Sequence, residues 1–111
     1  MRKLEKGKDL RKYIYIANVL VYIFKIFEKN KVGAFNITGK SNIKIIDLAK
    51  NISDKIGSKL FLPKKIKSIP GAPKNVNISF KKLNKVYKFN LTNLEKGISK
   101  TIKWYKFLQK L

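Results

Sequence analysis

The chain has 111 residues, which is the size of one domain and long enough to bury a hydrophobic core. It carries 27 basic and 6 acidic residues, a formal net charge of +21, and it contains neither cysteine nor histidine. These two absences exclude disulfides, a cysteine nucleophile and the usual zinc ligands, and they leave carboxylates, lysine and tyrosine for acid–base work. We therefore predict no metal site.

The charge is of the kind found in proteins that bind nucleic acid, anionic lipid or other polyanions. Only Arg2 and Arg11 are arginine, however, and lysine, isoleucine and asparagine are abundant together. This combination indicates that the genome has drifted towards A/T-rich codons. Selection for bidentate contacts with phosphate would instead have favoured arginine over lysine. A small basic nucleic-acid- or polyanion-binding protein is therefore kept as the alternative interpretation. Its candidate stacking groups are Tyr13, Tyr15, Phe61 and Phe80.

An apolar segment near the start of the chain, Tyr13–Phe24, holds twelve uncharged residues before Lys25. It is shorter than the roughly 18 residues of a membrane span, and no small-residue cleavage site follows it. We interpret it as core and predict a cytoplasmic protein without a membrane partner. Its first part, Tyr13–Ile16, is rich in aromatic and β-branched residues, which predicts a buried strand.

From Asn18 onwards the apolar spacing changes to three and four residues, which predicts a helix ending near Asn30 or Gly33. Its predicted buried stripe consists of Val19, Leu20, Ile23, Phe24 and Phe27.

A second short strand is predicted over Ala34–Ile37, and Ser41 is the predicted N-cap of a helix reaching about Ile56. Gly57 is placed to end this helix in a left-handed turn. The predicted buried face consists of Ile45, Ile46, Ala49, Ile52 and Ile56.

The next region is predicted to be mostly irregular. Leu60–Lys67 is a candidate edge strand, and the two prolines of Pro70–Pro73 predict a loop. A brief strand is predicted over Val76–Ile78, followed by a small helix. The apolar residues of that helix are Phe80, Leu83 and Tyr87.

The last helix has a clear start signal, because Thr92 and Glu95 have the spacing of a capping box. Trp104 and Tyr105 lie beside its apolar stripe, and we interpret them as packing residues and not as a ligand-stacking pair. The predicted buried stripe consists of Leu94, Ile98, Ile102, Tyr105 and Leu108.

Three sets of motifs occur in order along the chain. Residues 7–19 read GKDLRKYIYIANV, and residues 33–41 read GAFNITGKS. In the last third, PGAPKNV at 70–76 is followed by SFKKLNKVYKF at 79–89, TNLEKGI at 92–98 and KWY at 103–105. This ordered set resembles the C-terminal part of extended short-chain dehydrogenase/reductases, the NAD-dependent nucleotide-sugar epimerases and dehydratases.

The resemblance implies an α+β fold, that is, an α/β-like fragment with about four helices and two or three short strands. The strands are expected to run parallel. It implies that residues 1–111 form a single substrate-binding lobe, the C-terminal lobe of a Rossmann-type epimerase. The sequence has no glycine-rich loop between a strand and a helix and no identifiable catalytic Tyr-x-x-x-Lys pair. We therefore expect no catalytic residue and no cofactor bound by this chain alone, although the full-length family uses NAD.

The resemblance also implies the candidate site residues, Arg11 and Lys74. The family arginine that Arg11 matches often contacts the diphosphate or nucleoside of the sugar nucleotide, and a guanidinium can hold two phosphate oxygens at once. Lys74 is a candidate replacement for a second phosphate-binding arginine, whose place Ile69 takes. The plainer alternatives are a solvent-exposed arginine at a strand edge and a solvated lysine.

Other departures from the family pattern concern Lys12, Asn18 and Ala72, which stand where the family commonly has acidic residues. Two hypotheses follow from the resemblance. The chain is either the sugar-nucleotide-binding part of an epimerase or dehydratase, truncated or working with a separate Rossmann half, or the product of a decayed reading frame.

Overall fold

Short polar and apolar runs alternate along this chain, and the part that the structure describes forms four helices and two strands. The computed structural model describes residues 9–62, 75–76 and 78–111. Their order is β1 (Leu10–Lys12), α1 (Ile16–Glu28), β2 (Asn42–Lys44), α2 (Ile45–Ile56), α3 (Lys81–Val86) and α4 (Leu94–Gln109). The predicted α+β class with about four helices and two or three strands is confirmed.

Backbone contacts group the chain into two compact units. The first comprises Met1–Arg11 and Asn42–Asn77, and the second comprises Lys12–Ser41 and Ile78–Leu111. The single substrate-binding lobe over residues 1–111 stays a prediction.

The first unit is built on the pairing of β1 with β2. The two strands run antiparallel, with the amide of Ile45 donating to the carbonyl of Asp9 at 3.0 Å just beyond them. The parallel arrangement expected for the two strands is therefore wrong. Among the described residues, parallel pairing is found as an isolated bridge between Leu10 and Asn75. In the predicted strand over Val76–Ile78, Val76 and Ile78 are irregular, and Asn77 lies outside the described residues.

α2 follows β2 without a loop and packs against it. Ser41 is not its N-cap, because β2 intervenes and Lys44 occupies the cap position without a side-chain hydrogen bond. The end of the helix is as predicted, since Gly57 adopts a left-handed φ of 71°. The predicted edge strand over Leu60–Lys67 is irregular at 60–62, and its remainder lies outside the described residues, as do Pro70–Pro73.

The second unit has its core where α1 packs against α3. Tyr22 is 1% exposed, and its ring lies 4.9 Å from the ring of Phe89. The small predicted helix near Leu83 is confirmed as α3, and Leu83 and Val86 are buried with Tyr22 and Ile98. Burial raises the pKa of the Tyr22 hydroxyl above its ordinary value.

Neither of the two predicted aromatic and β-branched strands forms. Residues 13–15 are irregular and α1 begins at Ile16, while residues 34–37 are also irregular. The carbonyl of Ala34 accepts a hydrogen bond from Lys82 Nζ at 2.6 Å, and the same ammonium lies 4.3 Å from the Phe35 ring centroid. A side chain from α3 therefore contacts this segment, and β propensity alone gave the wrong result because a strand also needs a partner to pair with.

Asn18 connects α1 to the segment that precedes α4. It is 8% exposed, and its Oδ1 accepts a hydrogen bond from the Thr92 amide at 2.8 Å. Thr92 is thus engaged in a tertiary contact, and the predicted Thr92–Glu95 capping box is wrong. Asn93 is the N-cap instead, since its Oδ1 accepts from the Lys96 amide at 2.8 Å.

We expect Asn18→Leu to destabilise the protein by about 1–3 kcal/mol, because the partly buried amide of Thr92 would lose its acceptor. Asn18→Asp retains an acceptor oxygen and should lose clearly less. Urea unfolding followed by far-UV circular dichroism measures both variants. Equal stability of Asn18→Leu and the wild type would show that this hydrogen bond contributes little.

The apolar stripe predicted to be buried on α1 is largely exposed, with Leu20, Ile23, Phe24 and Phe27 all more than half accessible. The helix instead buries Asn18 and Tyr22 on its opposite side. α4 shows a similar outcome at its end, where Trp104 and Tyr105 are exposed and do not act as packing residues in this chain. Of the helices in the described part of the chain, none combines the length and apolarity needed to cross a membrane.

Candidate functional site

The candidate site residue Arg11 lies in the middle of β1 and is half-buried. Its strand is held on β2 by backbone pairing, and the preceding residue, Leu10, also forms the bridge to Asn75. The phosphate-binding role of Arg11 and the alternative of an arginine at a strand edge both stay predictions. Its attachment to a paired strand fixes the direction of the side chain better than a loop would.

The guanidinium of Arg11 makes one defined contact with the backbone of its own strand. Its Nη1 donates to the carbonyl oxygen of Leu10 at 2.8 Å. The same carbonyl oxygen accepts from the amide of Val76 at 3.4 Å. Arg11 and Val76 thus donate to the same backbone carbonyl of β1.

Lys74 lies outside the described residues. The residue that follows it, Asn75, bridges to Leu10, the residue that precedes Arg11. The bridge brings Asn75 to β1, although 64 positions separate Asn75 from Arg11 in the sequence. Lys74 itself stays a prediction.

Lys12, which stands where the resembled family usually has aspartate, is accommodated within the second unit. Its Nζ donates to the carbonyl oxygen of Ile78 at 2.8 Å and lies 5.6 Å from the Phe80 ring centroid. The Nζ of Lys40 lies 5.7 Å from the same ring. The cation thus has a backbone acceptor and an aromatic face, so this departure from the family pattern is compatible with a folded chain.

Lysines also cover other aromatic rings of the second unit. Lys25 lies 4.6 Å and Lys29 5.7 Å from the ring centroid of Tyr87, and Lys100 lies 5.6 Å from that of Tyr15. Two of the candidate base-stacking groups, Tyr15 and Phe80, are half-buried and already face ammonium groups. This arrangement disfavours them as open stacking platforms for nucleic acid.

Asn18 is the position of structural importance that sequence reasoning did not identify. It stands where the resembled family has aspartate, and its amide oxygen acts as the hydrogen-bond acceptor for Thr92. The available signal was a polar residue in the first turn of a helix that is otherwise uncharged and largely apolar as far as Phe24. Such a residue is expected either to be exposed or to have a specific partner.

Comparison with known proteins gives a distant relationship. The chain is 23% identical over 104 residues to a dTDP-4-dehydro-6-deoxy-D-allose reductase from a Streptomyces species, covering 90% of this chain and 30% of that enzyme. It is 21% identical over 103 residues to the enzyme of the same description from Streptomyces bikiniensis, with the same coverage.

These matches support a distant link to the short-chain dehydrogenase/reductases that act on sugar nucleotides. The chain spans about a third of the length of these relatives. No family model matches the chain. No solved structure matches it either.

Proposed function

We propose that this chain is the sugar-nucleotide-binding part of an NAD-dependent nucleotide-sugar enzyme, related to epimerases, dehydratases and reductases, and that it performs no redox chemistry alone. The observation that carries the proposal is the alignment of 90% of the chain with reductases named for a dTDP-sugar, together with coverage of only 30% of each reductase.

The expected ligand group is the nucleoside diphosphate. Arg11 supports this assignment because it is anchored on a paired strand and carries a fork of donors suited to phosphate oxygens. Asn75, the residue after Lys74 in the sequence, is bridged to Leu10, the residue before Arg11. Lys74 would add a second positive charge that need not be oriented as strictly as Arg11.

We expect the isolated chain to bind dTDP, and Arg11→Lys to raise the dissociation constant about tenfold, which corresponds to ~1.4 kcal/mol. This variant keeps the charge and removes the bidentate fork. Lys44→Ala, which removes a charge from the neighbouring strand β2, is the matched control and should change the affinity by less than about threefold. Isothermal titration calorimetry at 0.15 M salt measures all three proteins, and circular dichroism checks that each is folded.

Equal losses of affinity for Arg11→Lys and Lys44→Ala would contradict the assigned role of Arg11. Turnover of a dTDP-sugar with NAD by the isolated chain would contradict the expected absence of catalysis. The nucleic-acid alternative is tested with the same protein by titrating single-stranded DNA at several salt concentrations. Binding that falls steeply with salt, shows a strand or sequence preference and occurs without dTDP binding would favour that alternative.

A further inference from the structure

The most unusual surface of the described chain is one side of α1, which we call the α1 stripe. At 100° per residue its members fall within an arc of about 100° on one side of the helix. Their exposed fractions range from 51% to 79%. The stripe consists of Ile16, Leu20, Ile23, Phe24 and Phe27.

The stripe is exposed because the opposite side of α1 is fixed in the core. Asn18 and Tyr22 lie roughly opposite to it, the first bonded to the Thr92 amide and the second buried against Phe89. Rotating the helix to bury the stripe would break this hydrogen bond and expose Tyr22. The apolar side chains therefore cannot be covered by a small adjustment of α1.

The stripe also carries no charge, in a chain whose net charge is +21. The two charged residues of α1 are Lys25 and Glu28, and they lie outside the stripe. Their side chains pair with each other at 3.4 Å, and Lys25 Nζ also lies over the ring of Tyr87. The exposed apolar residues of α4 differ, since Trp104, Tyr105 and Phe107 alternate with lysines in the sequence. An uncharged centre of this kind is typical of the core of a protein–protein interface.

We infer that the α1 stripe is the docking surface for the cofactor-binding portion of the reductase fold, supplied by polypeptide outside residues 1–111. This inference rests on the proposed function. About two-thirds of each relative has no counterpart in this chain, so an apolar surface that packs within the relatives would have to be exposed here. A second copy of the chain is a poorer partner, because two bodies of charge +21 repel each other. A partner with an apolar centre and an acidic rim is the complementary surface.

The test uses the full chain and, as the probe, the Streptomyces bikiniensis reductase without the third that aligns with this chain. The probe is used once gel filtration and cooperative thermal unfolding show that it is folded. Phe24→Glu places a charge in the stripe, and Phe107→Glu is the matched control on α4, since both phenylalanines are 61% exposed. We expect a one-to-one complex whose dissociation constant rises about tenfold or more in Phe24→Glu and less than about twofold in Phe107→Glu.

Four outcomes would overturn the inference. The wild-type chain could fail to bind the folded probe, or the two variants could weaken the complex equally. The chain alone could form a dimer that Phe24→Glu dissociates in sedimentation velocity, which would make a second copy the partner. Phe24→Glu could also lower the melting temperature of the chain well below that of Phe107→Glu, which would show that the chain itself covers the stripe.

Measuring dTDP binding by the same proteins separates the two proposals. Binding of dTDP without binding of the probe would support the proposed function and contradict the docking surface. Binding of the probe without binding of dTDP would support the docking surface and contradict the proposed function.

Discussion

Replacing Gly39 with alanine should destabilise this protein by about 3 kcal/mol or more, out of a total of about 5–15 kcal/mol for a domain of ordinary stability. Gly39 is buried, and a Cβ atom built on it would lie 2.0 Å from the carbonyl oxygen of Tyr13 and 3.0 Å from the carbonyl carbon. Both atoms belong to the backbone, so no side-chain rotation can make room. Urea unfolding followed by far-UV circular dichroism measures the loss.

Gly97→Ala is the matched control, because Gly97 is a buried glycine of the same unit. Its added Cβ would lie 3.4 Å from the nearest atoms of the Tyr15 side chain, which is an ordinary contact distance. Alanine is also favoured over glycine within a helix by about 1 kcal/mol. We therefore expect Gly97→Ala to be as stable as the wild type or slightly more stable. A Gly39→Ala variant of unchanged stability would show that residues 13 and 39 are not in close contact.

Replacing Tyr22 with alanine should cost about 3–5 kcal/mol, because it empties the position of a large, fully buried ring. Tyr22 is 1% exposed and packs against Phe89 in the core formed by α1 and α3. Thermal and urea unfolding measure the effect. Tyr22→Phe keeps the ring and is the matched control, with an expected loss below about 1.5 kcal/mol. Similar losses of stability for the two variants would show that Tyr22 stabilises the protein through its hydroxyl group and not through the packing of its ring.

The same residue predicts a dependence of stability on alkaline pH. Burial raises the pKa of Tyr22 in the folded protein, while the unfolded chain titrates near the ordinary value of 10.0. Above that value the folded protein binds more protons at this group than the unfolded chain, so the free energy of unfolding falls as the pH rises. Tyr22→Phe should lose less stability than the wild type between pH 9 and pH 11. Parallel curves for the two proteins over this range would contradict the raised pKa.

The sequence by itself determined the α+β class, the presence of the main helices and the left-handed end of α2 at Gly57. Helical periodicity and a terminal glycine are local signals, and their physical basis lies within a few residues of one another. The ordered motifs likewise indicated the distant relationship to sugar-nucleotide enzymes that the comparisons support in part. They also indicated Arg11, whose place on a paired strand only the structure gave.

Only the tertiary structure decided which residues pair as strands and which side of each helix is buried. β1 and β2 were missed because a strand exists through its partner, and Leu10–Lys12 pairs with Asn42–Lys44 despite modest β propensity. The N-cap of α4 is Asn93 and not Thr92, and the amide of Thr92 donates to the distant Asn18. Periodicity placed four residues of the α1 stripe on one side of the helix, Leu20, Ile23, Phe24 and Phe27, yet it cannot say what covers them. Burial depends on the other segments that fold around a helix, and the residues of the helix do not contain that information.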